Sequence, residues 1–367
     1  MTAYAGVAAP APQWVEVITD RIQLDSVAAE LEDLGRRCGM PVSARPAWTR
    51  AALDAVPAAD PLAVLIRDET GHLRAAAVLL VMPGPGADTV VLPSGLDHRG
   101  GLPAEDVWAA AALGESVADV LARRPRTTVL RIGPLAVNSA AVTSLYSALP
   151  GAALVTTKPI PVVRRVESTD VHDYLSHGLR RGLRRGHNRL VADGRRATVH
   201  FTTDAPEIAR LAPEMEAACR DRDHAHGRTS PLDDSTGRAL WHRRLQHLLA
   251  AGVVELASLR IDDELAAYVL GLTDVPAYRV LEGRFVDRFA RYSPGRLLEA
   301  AVLTRVLDDP AYELLDWMTA IAPETLLAAN DTDAVVMVQA ELPGGVANRG
   351  TAAARGLARR SGTLAHR

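Results

Sequence analysis

A short segment, Ala290 to Leu298, has the residue types and order of an anion-binding helix start. In it, Ser293-Pro294 is followed by Gly295-Arg296-Leu297. Serine favours the position before a helix, and proline favours its first position. The first amides of a helix attract anions because they have no partner within the helix and lie at the positive end of its dipole. The pattern predicts a helix from Pro294 whose start either binds an anion or is an ordinary capped end.

An arginine-rich segment near the middle of the chain is a second group suited to anions. It reads Arg180-Arg181-Gly182-Leu183-Arg184-Arg185, with Arg189 one helical turn further on. These spacings place several guanidinium groups on one side of a helix, where they can hold phosphate oxygens in pairs. A solvated basic face is the alternative interpretation. Since no aromatic residue lies among the arginines, stacking on nucleic-acid bases is not predicted.

Two histidines, His224 and His226, lie in a polar stretch that we predict to be a loop. A spacing of two residues in a loop, without paired cysteines, is a weak zinc pattern, and no metal site is predicted. Acceptor binding and exposed polar surface remain as interpretations of the two side chains. Cys38 and Cys219 are isolated, so neither a disulfide framework nor a cysteine-ligated zinc site is predicted.

The composition supports two globular domains. The chain has 367 residues, 48% of them hydrophobic but only 4% aromatic, so its cores must consist largely of Ala, Val and Leu. A formal net charge of −3 gives no overall attraction to nucleic acid or membrane. No export signal or membrane span is visible, and we expect a cytoplasmic protein without a membrane partner. The absence of a Gly-x-Ser-x-Gly or Walker motif disfavours a hydrolase or a nucleotide triphosphatase.

The order of predicted elements is the same in two halves of the chain. In each half a tryptophan, Trp48 or Trp241, begins a helix that precedes two antiparallel strands, and the intervals Trp48 to Arg67 and Trp241 to Arg260 are equal. The predicted strands are Leu62–Arg67 and Leu73–Val81 in the first half, and Val253–Arg260 and Leu265–Leu272 in the second. Matching order and spacing favour duplication over chance similarity.

Each hairpin is followed by a polar loop, a helix and a further strand. In the first half these are Asp97–Gly101, helix Ala104–Ala122 and strand Thr128–Ile132; in the second they are Arg284–Gly295, helix Pro294–Leu307 and strand Leu314–Met318. We therefore predict two α/β domains with mixed sheets. The predicted divisions are a flexible N-terminus 1–12, domains 13–160 and 161–342, and a disordered tail 343–367.

These motifs resemble tandem GNAT proteins of the FemABX-like family, in particular the CelD-like acetyltransferases, from roughly Trp14 to Trp317. The resemblance is carried by the arginine-rich segment, by Arg222-Asp223-His224-Ala225-His226-Gly227, by the hairpin around Asp263 and most specifically by Ala290–Leu298. It implies two GNAT-like domains and an N-acyltransferase that moves an acyl group from an activated donor, often acyl-CoA, to an amine.

The resemblance also implies a donor site. In GNAT enzymes an Arg/Gln-x-x-Gly-x-Gly/Ala loop holds the pyrophosphate of coenzyme A; Arg291 fits its first position, whereas Pro294 and Arg296 occupy the two glycine positions. The donor-binding residues implied are Arg291, Ser293, Gly295, Arg296, Leu297, Arg184 and Arg185. No permanently bound cofactor is expected, with acyl-CoA as the co-substrate.

Direct attack on a thioester requires a group that takes the proton of the amine. Glu282 is the preferred candidate, with Asp316 and Asp287 as others, although Asp287 also suits a salt bridge with Arg284, Arg288 or Arg291. Tyr292 is the candidate for protonating the departing thiolate. Backbone amides of the strand 265–272 are implied as the oxyanion site. The family commonly continues its last core strand with a Tyr-Lys pair and a Trp, whereas Asp316-Trp317 is here followed by Thr319 and Glu324-Thr325-Leu326.

The implied arrangement places the donor in the C-terminal half and a small amine acceptor reaching in from the N-terminal half through a cleft. The residues predicted to bind the acceptor are Asp97, His98, His224 and His226. Two other functions stay open. One is transfer from aminoacyl-tRNA, as in peptidoglycan-bridge enzymes of the same branch, and the other is non-catalytic binding on a degenerate GNAT scaffold.

Overall fold

The computed structural model describes residues 13–166, 170–318 and 327–344. The predicted flexible N-terminus, nearly all of the predicted disordered tail, and the departure at Thr319 and Glu324–Leu326 lie outside these residues. Within them, no helix is both long and apolar enough to cross a bilayer.

Two seven-stranded sheets organise the described chain. The strands of the first are β1 (Gln13–Ile18), β2 (Asp60–Asp68), β3 (Leu73–Met82), β4 (Asp88–Val91), β5 (Thr128–Ala136), β6 (Ala153–Thr156) and β14 (Val335–Leu342). Those of the second are β7 (Ile160–Arg164), β8 (Ala197–Thr202), β9 (Val254–Ile261), β10 (Glu264–Asp274), β11 (Ala277–Phe285), β12 (Leu314–Asp316) and β13 (Asp331–Asp333). The helices are α1 (Arg21–Ser26), α2 (Ala28–Arg37), α3 (Pro46–Ala55), α4 (Val107–Ala122), α5 (Ala140–Ala148), α6 (His177–Ala192), α7 (Ala205–Ala225), α8 (Ser235–Ala250) and α9 (Pro294–Asp308).

The two sheets have the same strand arrangement. The first runs β1-β2-β3-β4-β5-β14-β6 and the second runs β8-β9-β10-β11-β12-β7-β13. In each, a parallel pair, β4 with β5 or β11 with β12, joins an antiparallel meander to the remaining strands. The predicted mixed α/β sheets and the predicted repeat are confirmed. The helix that connects each parallel pair, α4 or α9, packs against its own sheet.

One strand of the first sheet comes from the far end of the described chain. The last strand, β14, lies between β5 and β6. The corresponding place in the second sheet, between β12 and β13, is taken by β7, which belongs to the same unit as those neighbours. One compact unit comprises the chain to Thr49, Val56–Thr157 and the segment from Val335; the other comprises Arg50–Ala55 and Lys158–Ala334. This division differs from the predicted limit of 161–342, because the apolar face of β14 packs into the first core. A linear comparison of halves cannot show this placement of β14.

Candidate active site

The parallel pair β11–β12 is short, and β11 continues beyond it. Pairing joins Ala277–Arg279 to Leu314–Asp316, and in the described part of the chain no strand pairs with β11 on that side after Arg279. On its other side β11 pairs with β10 as far as Phe285, with an irregularity where Leu270 opposes Glu282 and Gly271 opposes Val280. The second half of β11 therefore has backbone groups on one side that the sheet leaves for another partner.

Asp316 is the last residue of β12 and ends its pairing with β11. Its side chain is fully buried and forms an ion pair with Arg279, which also binds Asp274 at 2.9 Å. The second carboxylate oxygen accepts a 2.7 Å hydrogen bond from the Met318 amide. With both oxygens engaged and no exposed atoms, Asp316 has the contacts of a structural residue, although sequence analysis proposed it as a proton acceptor.

The predicted helix start follows β11 directly. A short 3-10 segment, Asp287–Tyr292, leads to Ser293, which has a left-handed backbone (φ 55°, ψ 48°), and α9 begins at Pro294. Ser293 makes no side-chain cap, so that detail of the prediction was wrong. A left-handed backbone is uncommon for a residue other than glycine. The N-cap residue of α9 therefore contributes no side-chain hydrogen bond to the first turn.

The equivalent helix of the first unit differs at this point. The Asp106 carboxylate caps α4 by accepting hydrogen bonds from the amides of Trp108 and Ala109, at 2.9 and 2.8 Å. A carboxylate in this position already supplies the anion that a helix N-terminus attracts. The first turn of α9 contains no acidic residue. Of the two repeated helix starts, the one at Ser293 is therefore suited to an external anion.

The arginine-rich segment forms α6 as predicted and packs against the turn before α9. The guanidinium of Arg189 donates to the carbonyl of Arg291 at 2.7 Å. Arg185, four residues earlier, shares that flank of the helix, whereas Arg184 lies about 100° further round. Both Arg184 and Arg185 are exposed. Among the described residues, no acidic partner forms an ion pair with the arginines at positions 180, 181, 184 and 185.

Close packing of α6 on the turn depends on Gly186. A Cβ atom added there would clash with the carbonyl oxygen of Tyr292, whereas one added at Gly182 would meet nothing within 4 Å. We expect Gly186→Ala to lower the free energy of unfolding by about 1–3 kcal/mol. The matched Gly182→Ala should raise it by roughly 0.5–1 kcal/mol, because alanine favours helix interiors. Urea unfolding of both variants tests this, and equal effects would contradict the packing described.

Tyr292 and Arg291 both bind the acid at the end of α6. The hydroxyl of Tyr292 donates to Asp193 at 2.7 Å, and Arg291 lies 3.1 Å from the same carboxylate oxygen. Tyr292 is buried, whereas 61% of the Arg291 side chain is exposed. Tyr292 thus fixes the turn to α6, and its hydroxyl is engaged. Arg291 keeps enough exposure to meet a ligand.

A buried carboxyl group lies one turn along α9 from its start. The Oε2 atom of Glu299 is buried without a hydrogen-bond partner among the described residues, although the residue as a whole retains some exposure. Burial raises the pKa of Glu299 to about 7, and the opposing charge of Arg296 does not offset this. Arg296, three residues earlier, lies on the same side of the helix.

Glu299 should make the stability of the protein depend on pH. A carboxyl whose pKa is higher in the folded state gives full stability below its unfolded pKa, here 4.5, and stability falls as the pH rises through about 7. The gap between 4.5 and about 7 corresponds to roughly 3 kcal/mol. We expect Glu299→Gln to remove most of this decrease, as measured by urea unfolding at pH 5 and pH 8. A decrease of the same size in the variant would assign it to other groups.

Glu282 lies at the centre of a polar network on β11. One carboxylate oxygen accepts from the Trp241 indole nitrogen at 3.1 Å, and the other accepts from the hydroxyl of Tyr268. Tyr268 is almost fully buried, and burial, followed by the charge of Glu282, raises its pKa well above the ordinary value. The hydroxyl therefore keeps its proton and acts as a donor. Burial and then Glu282 also raise the pKa of the Cys219 thiol.

Asp287 forms a salt bridge, which was the predicted alternative to a catalytic role. Its partner is none of the three arginines predicted for it. Its carboxylate lies 2.8 Å from Arg222 at the end of α7. The guanidinium of Arg222 covers the ring of Phe285 at 4.0 Å, and a Cβ added at Gly295 would lie 3.1 Å from the same ring. Gly295 therefore allows the start of α9 to approach the end of β11.

The two histidines of the predicted loop lie at the end of α7, so the loop prediction was wrong. His224 is in its last turn and His226 caps it, and Gly227 then leaves the helix with φ 65°. His224 binds Asp233 at 2.7 Å, and His226 binds the carbonyl of Arg222 at 2.9 Å. Hydrogen bonds from His224 and then Arg220 lower the pKa of Asp233 to about 2. Both rings thus have partners within the protein.

Asp97 and His98 belong to the first unit, in the turn that follows β4. Asp97 is exposed, and the ring of His98 packs against Trp48 with centroids 5.0 Å apart. Their predicted role in acceptor binding stays a prediction. Sequence analysis also missed residues of the site. Trp241 served only as a landmark of the repeat, and Tyr268 had no distinguishing pattern within an apolar strand.

Comparisons with known proteins agree with this architecture. Residues 177–324 match the family model described as an acetyltransferase (GNAT) domain. The solved structure of FemX superposes with a TM-score of 0.59 at 10% identity, covering 84% of this chain and 89% of FemX. The chain therefore has the fold of FemX, and its residues 177–324 are similar to a GNAT acetyltransferase domain.

Further solved structures are similar to this chain. A conserved protein of unknown function from Bacteroides thetaiotaomicron has a TM-score of 0.51 at 11% identity, with 89% of this chain and 99% of that chain covered. A tandem GNAT protein from the clavulanic acid biosynthesis pathway has a TM-score of 0.48 at 16% identity, with coverages of 89% and 98%. Comparison with curated proteins found no match. At these identities the structures establish the fold alone.

Proposed function

We propose that this chain is a tandem GNAT acyltransferase that transfers an acyl group from acyl-CoA to an amine by direct attack. The observation that carries the proposal is the start of α9, which lies at the carboxyl end of β11 and has no side-chain cap. It combines the positive end of a helix dipole with the end of a parallel strand pair, a combination that suits a phosphate group.

The donor phosphates would be held by backbone and side chains together. Gly295 contributes an amide and a close approach, whereas Pro294 has no amide to give. Arg296 supplies positive charge on the helix itself, with Arg291 and Arg185 from the adjoining turn and α6. Leu297 adds little, since its amide already donates to the carbonyl of Ser293 at 3.1 Å.

Glu282 would act as the general base. The amine nitrogen attacks the thioester carbonyl while its proton passes to the Glu282 carboxylate; the C–N bond forms, the C–S bond breaks, and the thiolate leaves to be protonated. The oxyanion would be stabilised by amides in the second half of β11. The strand 265–272, implied earlier, is unsuited because β10 is paired along both sides.

A second donor class is favoured by one observation. Several arginines of α6 have no ion-pair partner in the described part of the chain, and they lie on the helix that packs against the turn. A run of guanidinium groups also suits the backbone of an aminoacyl-tRNA. Pro294, which reduces the number of amides, fits either donor. The acceptor in both cases is an amine.

Calorimetric titration with acetyl-CoA and, separately, with aminoacyl-tRNA distinguishes the two donors. We expect heat of binding with acetyl-CoA that weakens as the salt concentration rises, because phosphate contacts dominate. Silence toward acetyl-CoA at high concentration, together with binding of charged tRNA, would replace acyl-CoA by the second donor. Silence toward both would support non-catalytic binding.

A further inference from the structure

The repeated tryptophan of the two halves has a different hydrogen-bond partner in each. In the first unit the Trp48 indole donates to the main-chain carbonyl of Pro93, just after β4, at 3.1 Å. In the second unit the Trp241 indole donates to the carboxylate of Glu282 on β11, also at 3.1 Å. Since β4 and β11 hold the same place in their sheets, the duplicated donor meets a neutral acceptor in one half and an ionisable one in the other.

We propose that Trp241 and Tyr268 are positioning residues that fix the orientation of the Glu282 carboxylate. The inference deepens the proposed function, because it rests on Glu282 as the general base. Each carboxylate oxygen has one donor, from α8 on one side and from the neighbouring strand β10 on the other. Two donors on different oxygens hold the plane of the carboxylate.

The other groups around Glu282 do not replace these donors. Arg284, on the same strand, is the positive charge of the network, and its guanidinium donates to the carbonyl of Gly283. From α7, Cys219 and Asp223 face the network; Asp223 forms an ion pair with Arg228 at 3.1 Å. Burial of the Cys219 thiol keeps it in its neutral form. Removal of either donor should therefore let the carboxylate turn away from the orientation that the two donors hold together.

The indole N–H resonances of protein labelled with ¹⁵N-tryptophan report the hydrogen bond from Trp241 to Glu282 directly, and the measurement needs no substrate. The chain has five tryptophans, so the peaks are few, and Trp241→Phe and Trp48→Phe assign two of them. We expect Tyr268→Phe to shift the Trp241 peak at a fixed pH, because the carboxylate that accepts from the indole loses its second donor. The Trp48 peak, whose acceptor is a carbonyl, is the internal control and should stay in place.

Two further variants complete the test. Glu282→Gln should also shift the Trp241 peak, because the indole loses its charged acceptor, and Trp48→Phe should leave the Trp241 peak unchanged. Identical Trp241 peak positions for the wild type and Tyr268→Phe, or a Trp241 peak indifferent to Glu282→Gln, would overturn the proposal. Because no acyl-CoA is added, these results do not depend on acyl-CoA binding. A failure of this proposal is therefore distinguishable from a failure of the proposed function.

Discussion

Replacing Glu282 with glutamine is expected to lower turnover at least about 100-fold while leaving acetyl-CoA affinity within about twofold. The substitution keeps the size of the side chain but removes the base, and general-base catalysis contributes roughly 10²–10⁴-fold. Glu282 lies on β11, whereas the proposed phosphate contacts lie after the 3-10 segment, so binding and proton transfer use different residues. The assay follows release of free CoA thiol with a panel of small amines, and calorimetry measures affinity.

A matched control is Glu264→Gln. This carboxylate is exposed and pairs with Arg288, away from the network of Glu282. It should retain turnover, because it contributes no contact to the proposed site. If Glu282→Gln kept more than about a tenth of the wild-type turnover, another group would have to accept the proton.

Introducing a carboxylate at the start of α9 is expected to weaken acetyl-CoA binding by at least about tenfold. Ser293→Asp would give α9 the residue type that caps α4 in the first unit, where Asp106 binds the helix amides. An aspartate tolerates the left-handed backbone of this position and places a negative charge where the donor phosphates are proposed to lie. Calorimetric titration of wild type and variant measures the change.

The reciprocal control is Asp106→Ala in the first unit. Loss of that cap should lower the free energy of unfolding by about 1 kcal/mol and leave acetyl-CoA affinity unchanged. Equal affinities for wild type and Ser293→Asp would exclude the start of α9 as the phosphate site. Weaker binding by Asp106→Ala would instead point to α4.

Much of the scaffold was predictable because local patterns and the repeat agree with each other. The strand predicted at Val253–Arg260 occupies Val254–Ile261, and the helix predicted at Pro294–Leu307 occupies Pro294–Asp308. Some signals lie within a few residues and can therefore be recognised in a linear sequence. Examples are proline at the first position of a helix, and apolar runs separated by turns. The position of β14 in the first sheet is different in kind, since it depends on which core buries the strand.

The site was less predictable, because partners distant in sequence decide what each side chain does. Glu282 and Asp316 are both acidic residues on core strands, but one binds two neutral donors and the other binds a buried arginine. His224 and His226 lie among polar residues that were taken for a loop and are instead the end of a 21-residue helix. No local signal distinguishes these outcomes.

The most direct test of the account is the structure of the protein crystallised with coenzyme A. The account predicts pyrophosphate oxygens within hydrogen-bond distance of the Gly295 and Arg296 amides, with the thiol directed toward Glu282. Coenzyme A bound with its phosphates elsewhere, and the amides at the start of α9 in contact only with solvent or protein, would contradict it.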